Sequence, residues 1–195
     1  SGKVATRWAE NLIEAIDRSR DTTLERFLYA LGIEHVGEST AKALAQWFGD
    51  IALVCRMPWP LFKCVPDIGS EVAHALGHFF DQSGNQKVIR ALLDPLHGVR
   101  IGDTHAPSAK LRAALTLGTL LEDLEIPKIT AVRAQQLAVA FPAARELIAA
   151  KAEAFAAAGL TTEAAEALAA WLKSKPNACL LEQSAALQAE LLALA

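Results

Sequence analysis

The chain has 195 residues, and its 19 basic against 22 acidic side chains give a net charge of −3. Hydrophobic residues make up 52% of the chain, which is enough for a packed core in one or two domains and argues against disorder. The longest stretch without a charged side chain, residues 134–144, is about half of what a membrane-spanning helix needs, and the charge balance excludes a polybasic tail as the means of binding nucleic acid.

The three cysteines, Cys55, Cys64 and Cys179, are widely spaced and too few for a fully paired disulfide framework. No basic segment followed by an apolar run and a small-residue cleavage site opens the chain. We therefore expect a reduced, cytoplasmic protein.

Helical periodicity dominates the chain from its beginning. Apolar residues at every fourth position, Trp8, Leu12 and Ile16, predict a first helix over residues 4–19. Asp21 or Thr22 is then expected to cap the next helix. The inward face of that helix is predicted to be Leu24, Phe27, Leu28 and Leu31.

Short helices separated by Gly and Pro fill the rest of the chain, and no stretch has the alternation of a β-strand. The sequence therefore predicts an all-α fold. Residues 95–109, which contain two prolines and two glycines, are the best candidate for a linker between a unit at 1–94 and a unit at 110–195.

An internal repeat relates the two units. Residues 32–45 resemble residues 125–138 at an offset of 93, and residues 65–76 resemble residues 157–168 at an offset of 92. Two segments that return in the same order at nearly the same displacement predict a duplication. The alternative is that helices rich in Ala and Leu align by chance.

Each unit repeats a helix, a tight turn and a second helix that carries a small residue four positions after the turn glycine. In the first unit we name these hairpin 1 (residues 33–41) and hairpin 2 (residues 65–73). Val36 and Ile68 are expected to fill the gap between the helices, while Gly37 and Gly69 supply freedom at φ and let a phosphate approach closely. Free N–H groups at the start of the second helix can bind a phosphodiester oxygen, so the pattern predicts binding to the nucleic-acid backbone without reading of bases.

At this point the sequence resembles a known family. The run from Thr22 to Ala45, followed by Phe48-Gly49, by Val65-Pro66-Asp67-Ile68-Gly69 and by Phe79-Phe80, is similar to the helix-hairpin-helix domain of bacterial NAD-dependent DNA ligases. The resemblance covers about residues 3–105. Beyond that range the family would proceed to a BRCT domain, whereas this sequence continues into a second unit. With the internal repeat, this predicts tandem helix-hairpin-helix units, of which the second is a degenerate duplicate of the first.

The resemblance also implies a function for the parent protein. Such a ligase transfers AMP from NAD to itself and then to the 5′-phosphate of a nick, and this segment would hold the nicked duplex DNA as part of an encircling clamp during replication and repair. NAD, Mg and Zn are cofactors implied for that parent, and its remaining domains are implied partners. No lysine here is followed by x-Asp-Gly and no cysteine pair has Cys-x-x-Cys spacing, so the segment itself is expected to be catalytically inactive and to hold no cofactor.

The predicted DNA contacts cluster at the two hairpins of the first unit. Hydroxyls that follow the turn glycines can donate to phosphate, although they can equally cap the helix. The predicted set is Val36, Gly37, Ser39, Thr40, Lys42, Ile68, Gly69 and Ser70. A second set of more distant basic residues is Arg18, Arg20, Arg26, Lys128 and Arg133. Glu38 and Glu71, beside the glycines, are unfavourable neighbours for phosphate.

The second unit departs from the pattern at its turns. Thr130 and Thr161 stand where the first unit has Gly37 and Gly69, and β-branched residues resist positive φ. We therefore expect a structural duplicate whose phosphate sites are lost or weakened, with Lys128 and Arg133 as remaining contacts.

Other readings stay open. His74 and His78 have the i, i+4 spacing of metal ligands, but no third ligand is evident and no metal site is predicted. The net charge and the acidic residues at both hairpins favour an alternative, a structural or protein-interaction scaffold that does not bind DNA on its own. A further alternative is the helix-hairpin-helix part of another repair nuclease or recombination factor, which does not explain the match from Thr22 to Leu44.

Overall fold

The computed structural model describes residues 10–11, 13–15 and 17–193. Residues 10–11, 13–15 and 17–18 are helical and Ser19 lies in a turn, whereas residues 4–9, 12 and 16 of the predicted first helix, with Trp8, Leu12 and Ile16, lie outside the described residues. Beyond them the helices are α1 (Leu24–Ala30), α2 (Glu38–Phe48), α3 (Ile51–Cys55), α4 (Trp59–Phe62), α5 (Ser70–Asp81), α6 (Ser83–Leu92), α7 (Ala109–Ala114), α8 (Leu117–Asp123), α9 (Ala131–Ala140), α10 (Ala144–Ala149), α11 (Ala152–Ala157), α12 (Thr162–Lys173) and α13 (Lys175–Ala193).

Four helix pairs form the hairpins of the molecule. Hairpin 1 joins α1 to α2, and hairpin 2 joins α4 to α5. In the second unit, hairpin 3 joins α8 to α9 and hairpin 4 joins α11 to α12. The helical fold class is therefore confirmed, and each unit contains two hairpins at the predicted positions.

The predicted duplication is reproduced in the geometry of the turns. The left-handed residues Gly32, His35 and Asp67 of the first unit have left-handed counterparts in Glu125, Lys128 and Gly159 at the same offsets. A small residue is buried at the closest approach of each helix pair, which allows the helices to pack tightly. These residues are Ala41, Ala73, Ala134 and Ala165, each at most 1% exposed.

Buried apolar side chains form one cluster that runs from Leu24 to Leu191. At its centre the ring of Phe62 contacts Phe48 edge-on at 5.7 Å and lies 6.4 Å from Phe80 between ring centroids. Helix α4 of the first unit packs against α8 of the second. The two units therefore share a continuous core.

The predicted linker at 95–109 lies against the first unit as a strap. Its strand β2 (Arg100–Ile101) pairs in parallel with β1 (Asp21–Thr22), a pair that the sequence did not indicate. The Arg100 guanidinium binds the carboxylates of Asp17 and Asp21 and holds the pKa of both below its usual range. Farther along, the His105 amide donates to the Gly49 carbonyl at 2.9 Å.

The cap of α1 differs from the prediction. Thr23, not Asp21 or Thr22, is the N-cap, and its hydroxyl accepts from the Arg26 amide at 3.3 Å. Asp21 and Thr22 instead form β1, which pairs with β2. Leu24, Phe27 and Leu28 are buried as expected, and Leu31 is half-buried.

None of the helices within residues 17–193 combines the length and the apolar character that crossing a membrane requires.

Candidate nucleic-acid interface

Gly37 and Gly69 begin the second helix of hairpins 1 and 2. Gly37 is the N-cap of α2 and Gly69 is the N-cap of α5, and neither helix has a side chain that caps its first turn. The first hydrogen bonds of the two helices run from Ala41 to the Gly37 carbonyl and from Ala73 to the Gly69 carbonyl. The preceding N–H groups of each first turn therefore have no carbonyl within the helix to bind.

Freedom at φ, the first of the two reasons predicted for these glycines, is wrong. Gly37 has φ −89° and Gly69 has φ −82°, both in the extended region that any residue adopts. The left-handed residues of these turns lie two positions earlier, at His35 with φ 63° and Asp67 with φ 65°. Positive φ therefore does not explain a glycine at either position.

Steric crowding within the chain does not explain these glycines either. A Cβ added at Gly37 or Gly69 would meet no atom within 4 Å. Both positions are exposed and face open space at the start of a helix. A glycine there leaves room for another molecule to approach the backbone closely.

The two glycine turns lie on the same side of the first unit. A small cleft of about 60 Å³ lies between them, lined in part by Ser39 and Thr40 of α2 and by Asp67 and Ile68 of hairpin 2. Of the predicted contacts, Ser39, Lys42 and Ser70 are exposed and Thr40 is half-buried. Within this cleft, Ser39 and Thr40 of α2 lie beside the turn of hairpin 2.

Val36 and Ile68 have a different position. Their side chains are 8% and 6% exposed and fill the turns of hairpins 1 and 2 from inside. Their amides donate to the Ile33 and Val65 carbonyls. Any contact of these two residues with a ligand would therefore be made by the backbone.

A polar pair connects the two hairpins of each unit. In the first unit, His35 Nε2 lies 3.3 Å from a carboxylate oxygen of Glu71, which makes an ion pair when the imidazole is protonated. At the equivalent positions of the second unit, Lys128 Nζ donates to Glu163 at 2.6 Å and lowers the pKa of that carboxyl. Glu71, an unfavourable neighbour for phosphate, thus has a partner inside the fold.

The turns of the second unit keep the backbone of the first. Thr130 has φ −94° and Thr161 has φ −62°, so the expectation that β-branched residues would resist the conformation of these turns does not apply. The difference lies in the capping, because the Thr161 hydroxyl accepts from the Ala164 amide at 3.4 Å. The Thr161 hydroxyl therefore caps the first turn of α12.

The second set of basic residues is largely engaged within the chain. Arg18 binds the carboxylate of Glu14, and Arg20 donates to the Leu96 carbonyl at 3.4 Å. Arg133 donates to the Lys128 carbonyl at 2.6 Å. Arg26 is exposed, and among the described residues none of these basic side chains has a hydrogen bond or ion pair with Ser39 or Ser70.

The sequence analysis missed a polar cluster where the two units meet. Lys63, only 16% exposed, donates to Glu125 at 3.2 Å and to the Asp123 carbonyl at 3.3 Å. Glu125 also meets His74 Nε2 at 3.2 Å. A signal was present in the repeat, because these two acidic residues stand where the first unit has Ala30 and Gly32.

Burial and hydrogen bonding shift the two carboxyls of this cluster in opposite directions. Burial raises the pKa of Asp123 to about 6 despite the nearby Lys63 ammonium. Burial also raises the pKa of Glu125, but hydrogen bonds from Ser70, His74 and Lys63 outweigh that effect and hold it at about 2. Glu125 is therefore ionised at neutral pH, whereas Asp123 titrates close to neutral pH.

Metal binding finds no support in the described part of the chain. No group of three or more His, Cys, Asp and Glu side chains within residues 17–193 is placed to hold a metal ion. His78 contacts Gln82, and His74 stacks on Trp59 with ring centroids 3.8 Å apart. The i, i+4 spacing of the two histidines is thus part of the packing of α5.

Known proteins match this sequence. The helix-hairpin-helix motif family matches residues 26–89, which contain hairpins 1 and 2. A DNA ligase of Xanthomonas axonopodis pv. citri is 61% identical over 192 residues, covering 98% of this chain and 23% of that protein. This chain is homologous to a segment of bacterial DNA ligases.

Other relatives give the same result. A DNA ligase of Xanthomonas campestris pv. campestris is 62% identical over 91% of this chain and 21% of its own length, and one of Stenotrophomonas maltophilia is 58% identical over 92% and 22%. The chain thus spans less than a quarter of the length of these curated relatives. No solved structure matched the chain.

Proposed function

We propose that this chain binds duplex DNA through the phosphate backbone, without sequence preference, as the clamp segment of an NAD-dependent DNA ligase that seals nicks in replication and repair. In this proposal the rest of the parent ligase carries the adenylation chemistry and its NAD, Mg and Zn, and the segment is catalytically inactive. Its partners are nicked double-stranded DNA and the other ligase domains, and it acts in the bacterial cytoplasm at the nucleoid.

The observation that carries the proposal is the pair of N-cap glycines. Gly37 and Gly69 have negative φ and open space around them, so nothing inside the chain requires a glycine there. A phosphate oxygen that approaches the free N–H groups of α2 and α5 does require one, because a side chain would cover those groups. In this proposal Ser39 and Thr40, which line the cleft, and the exposed Lys42 add hydrogen bonds to the same phosphates, whereas the Ser70 hydroxyl donates to Glu125.

The second unit supports the same argument by contrast. Thr161 at the position of Gly69 caps its own helix, and Val132 and Val139, both exposed, stand on α9 where the first unit has Ser39 and Gln46. The polar face that follows hairpin 1 is thus apolar after hairpin 3. We place the DNA contact on the first unit.

The test is a pair of substitutions that fill the glycine positions. Aspartate is a good N-cap residue, so the Gly37→Asp/Gly69→Asp protein should fold with unchanged or slightly higher stability, while its carboxylates occupy the N–H groups and repel phosphate. We expect wild-type binding to a nicked duplex with a log–log salt slope of about −2 to −4, from roughly two to four neutralised phosphates. The double variant should lose that binding, measured by fluorescence anisotropy at several salt concentrations.

Gly84→Asp is the matched control. Gly84 also has no atom within 4 Å of an added Cβ, and it lies in the first turn of α6, away from both hairpin turns. Gly84→Asp adds one negative charge, as each of the two hairpin substitutions does, and should leave affinity within about twofold, as expected for one distant exposed charge. If the hairpin variant and the control bind DNA equally well, the glycine turns are not the contact.

A scaffold function remains the second candidate, because the net charge is −3 and α9 carries the exposed Val132 and Val139. It predicts that the wild-type chain ignores nicked duplex even at low salt, which the same titration measures.

A further inference from the structure

Glu125 adopts a backbone conformation that is unfavourable for its residue type. It follows α8 with φ 56°, whereas its counterpart in the first unit is Gly32 with φ 64°. A left-handed non-glycine residue costs roughly 1 kcal/mol or more, and such strain persists where contacts of that residue hold it in place. The contacts of Glu125 are therefore informative.

Its carboxylate reaches from the second unit into the first. One oxygen lies 3.2 Å from Lys63 Nζ and the other 3.2 Å from His74 Nε2, and the Ser70 hydroxyl donates to the same group. Lys63 is held in turn by the Asp123 carbonyl. One side chain of the second unit thus engages three polar groups of hairpin 2.

These groups lie on or next to α4 and α5, the two helices that hairpin 2 joins. Ser70 and His74 are one turn apart on α5, and Ser70 directly follows the N-cap Gly69. His74 stacks on Trp59 of α4, and Lys63 is the C-cap of α4. The carboxylate therefore connects α4, the start of α5 and the second unit.

We propose that Glu125 is a positioning residue for the DNA grip, through which the degenerate second unit braces the start of α5 and the phosphate contact of hairpin 2. This inference rests on the proposed function. It assigns the second unit a mechanical role, to hold hairpin 2 in the conformation that receives DNA.

Whether one substitution weakens or strengthens DNA binding tests the proposal. Coulomb repulsion alone predicts that removing an acidic charge near the DNA tightens binding. Positioning predicts the opposite for Glu125→Gln, a loss of about three- to tenfold in affinity for nicked duplex, on the scale of one lost hydrogen bond. Glu122→Gln, an exposed acidic residue of α8 with the same change of charge, is the matched control and should bind as wild type or slightly tighter. If Glu125→Gln binds as tightly as the control, the proposal is overturned.

Combination with the hairpin variants locates the effect. In a Gly69→Asp background, where the contact of hairpin 2 is already removed, Glu125→Gln should have no further effect on affinity. In a Gly37→Asp background, its three- to tenfold effect should persist. An equal loss in both backgrounds would mean that Glu125 acts on general stability, and the positioning role would then be wrong.

Amide hydrogen exchange tests the bracing without DNA. The Ala73 amide, bonded to the Gly69 carbonyl at 3.0 Å, reports on the start of α5, and the Ala41 amide, bonded to Gly37 at 2.9 Å, is its counterpart in hairpin 1. Glu125→Gln should speed exchange at Ala73 and leave Ala41 unchanged. Unaltered protection at Ala73 would refute the brace, whether or not the chain binds DNA, whereas absence of wild-type DNA binding would refute only the proposed function and the role in DNA binding that depends on it.

Discussion

Glycines in this molecule serve different physical purposes, and Gly49 is the case opposite to Gly37. Gly49 ends α2 with φ 70°, and a Cβ there would overlap the carbonyl oxygen and the imidazole of His105. Both backbone conformation and packing against the strap therefore require glycine at this position.

Gly49→Ala should accordingly lower the free energy of unfolding by roughly 2–4 kcal/mol, since the variant combines an unfavourable φ with a backbone clash. Urea unfolding followed by circular dichroism measures this difference. Gly102→Ala is the control, because Gly102 is also in the strap but an added Cβ there meets nothing within 4 Å. Comparable stability of the two variants would contradict the steric argument.

Sequence reasoning found Gly37 and Gly69 and gave two reasons for them, of which freedom at φ was wrong and close approach of a phosphate stays a prediction. The left-handed positions of these turns carry His35 and Asp67, residue types that give no glycine signal. A sequence pattern identifies the turn, but the φ of each residue depends on how the two helices meet across it. The open space around the two glycines, which the sequence could not show, is what close approach of a phosphate needs.

The strap at 95–109 stabilises the first unit at the level of its elements. The Asp103 carboxylate accepts from the Leu24 amide at 2.7 Å, so the first turn of α1 is capped from the strap as well as by Thr23. This hydrogen bond connects residues 79 positions apart in the chain.

Asp103→Ala should cost about 1–2 kcal/mol of unfolding free energy, because it leaves the partly buried Leu24 amide without its acceptor. Thermal unfolding by calorimetry is a suitable measurement. Asp81→Ala, at the exposed end of α5, removes the same charge and should change stability by less than about 0.5 kcal/mol. If Asp103→Ala lowers the free energy of unfolding no more than Asp81→Ala does, the Asp103 carboxylate does not stabilise the start of α1.

The elements that depend on local periodicity were predictable, and those that depend on distant partners were not. The inward face of α1 followed from the spacing of Leu24, Phe27 and Leu28. A strand of two residues is too short to show alternation, and β1 finds its partner only at Arg100. The prolines and glycines of the strap therefore predicted a linker, although the strap is bound to the first unit.

For the whole molecule, the polar cluster between the units makes stability depend on pH. The fold raises the pKa of Asp123 from its ordinary value of 3.8 to about 6, so the folded state favours the protonated carboxyl. This contribution to stability is complete below pH 3.8 and is lost as the pH rises through 6. The pKa of Glu125 is lowered to about 2, so its contribution is complete above its ordinary value of 4.5 and is lost only as the pH falls toward 2.

Asp123→Asn should therefore unfold like the wild type near pH 4 and become more stable than the wild type by about 1–3 kcal/mol at pH 7. Urea titrations at a series of pH values measure this difference. For the exposed control Asp81→Asn, the difference in unfolding free energy from the wild type should not change with pH. A constant difference between Asp123→Asn and wild type from pH 4 to pH 8 would contradict the assignment.

The offset of the duplication was visible in the sequence, whereas the contact between the two copies was not. Asp123 and Glu125 differ from Ala30 and Gly32 at equivalent positions, but their partner Lys63 can be named only when the orientation of the units is known. Departures from an internal repeat are therefore good places to search for contacts between its copies.

The parallel pairing of β1 with β2 also determines how the molecule carries mechanical load. Tension between the segment before Asp21 and the second unit pulls β1 from its beginning and β2 from its end. In a parallel pair these are opposite ends, so the hydrogen bonds from Arg100 to the Arg20 carbonyl and from Gly102 to the Thr22 carbonyl are loaded together in shear. Hairpins 1 and 2 lie in the loop that this pair closes. A pull along the chain is thus borne by the strands, while the surface that carries Gly37 and Gly69 stays outside the path of the force.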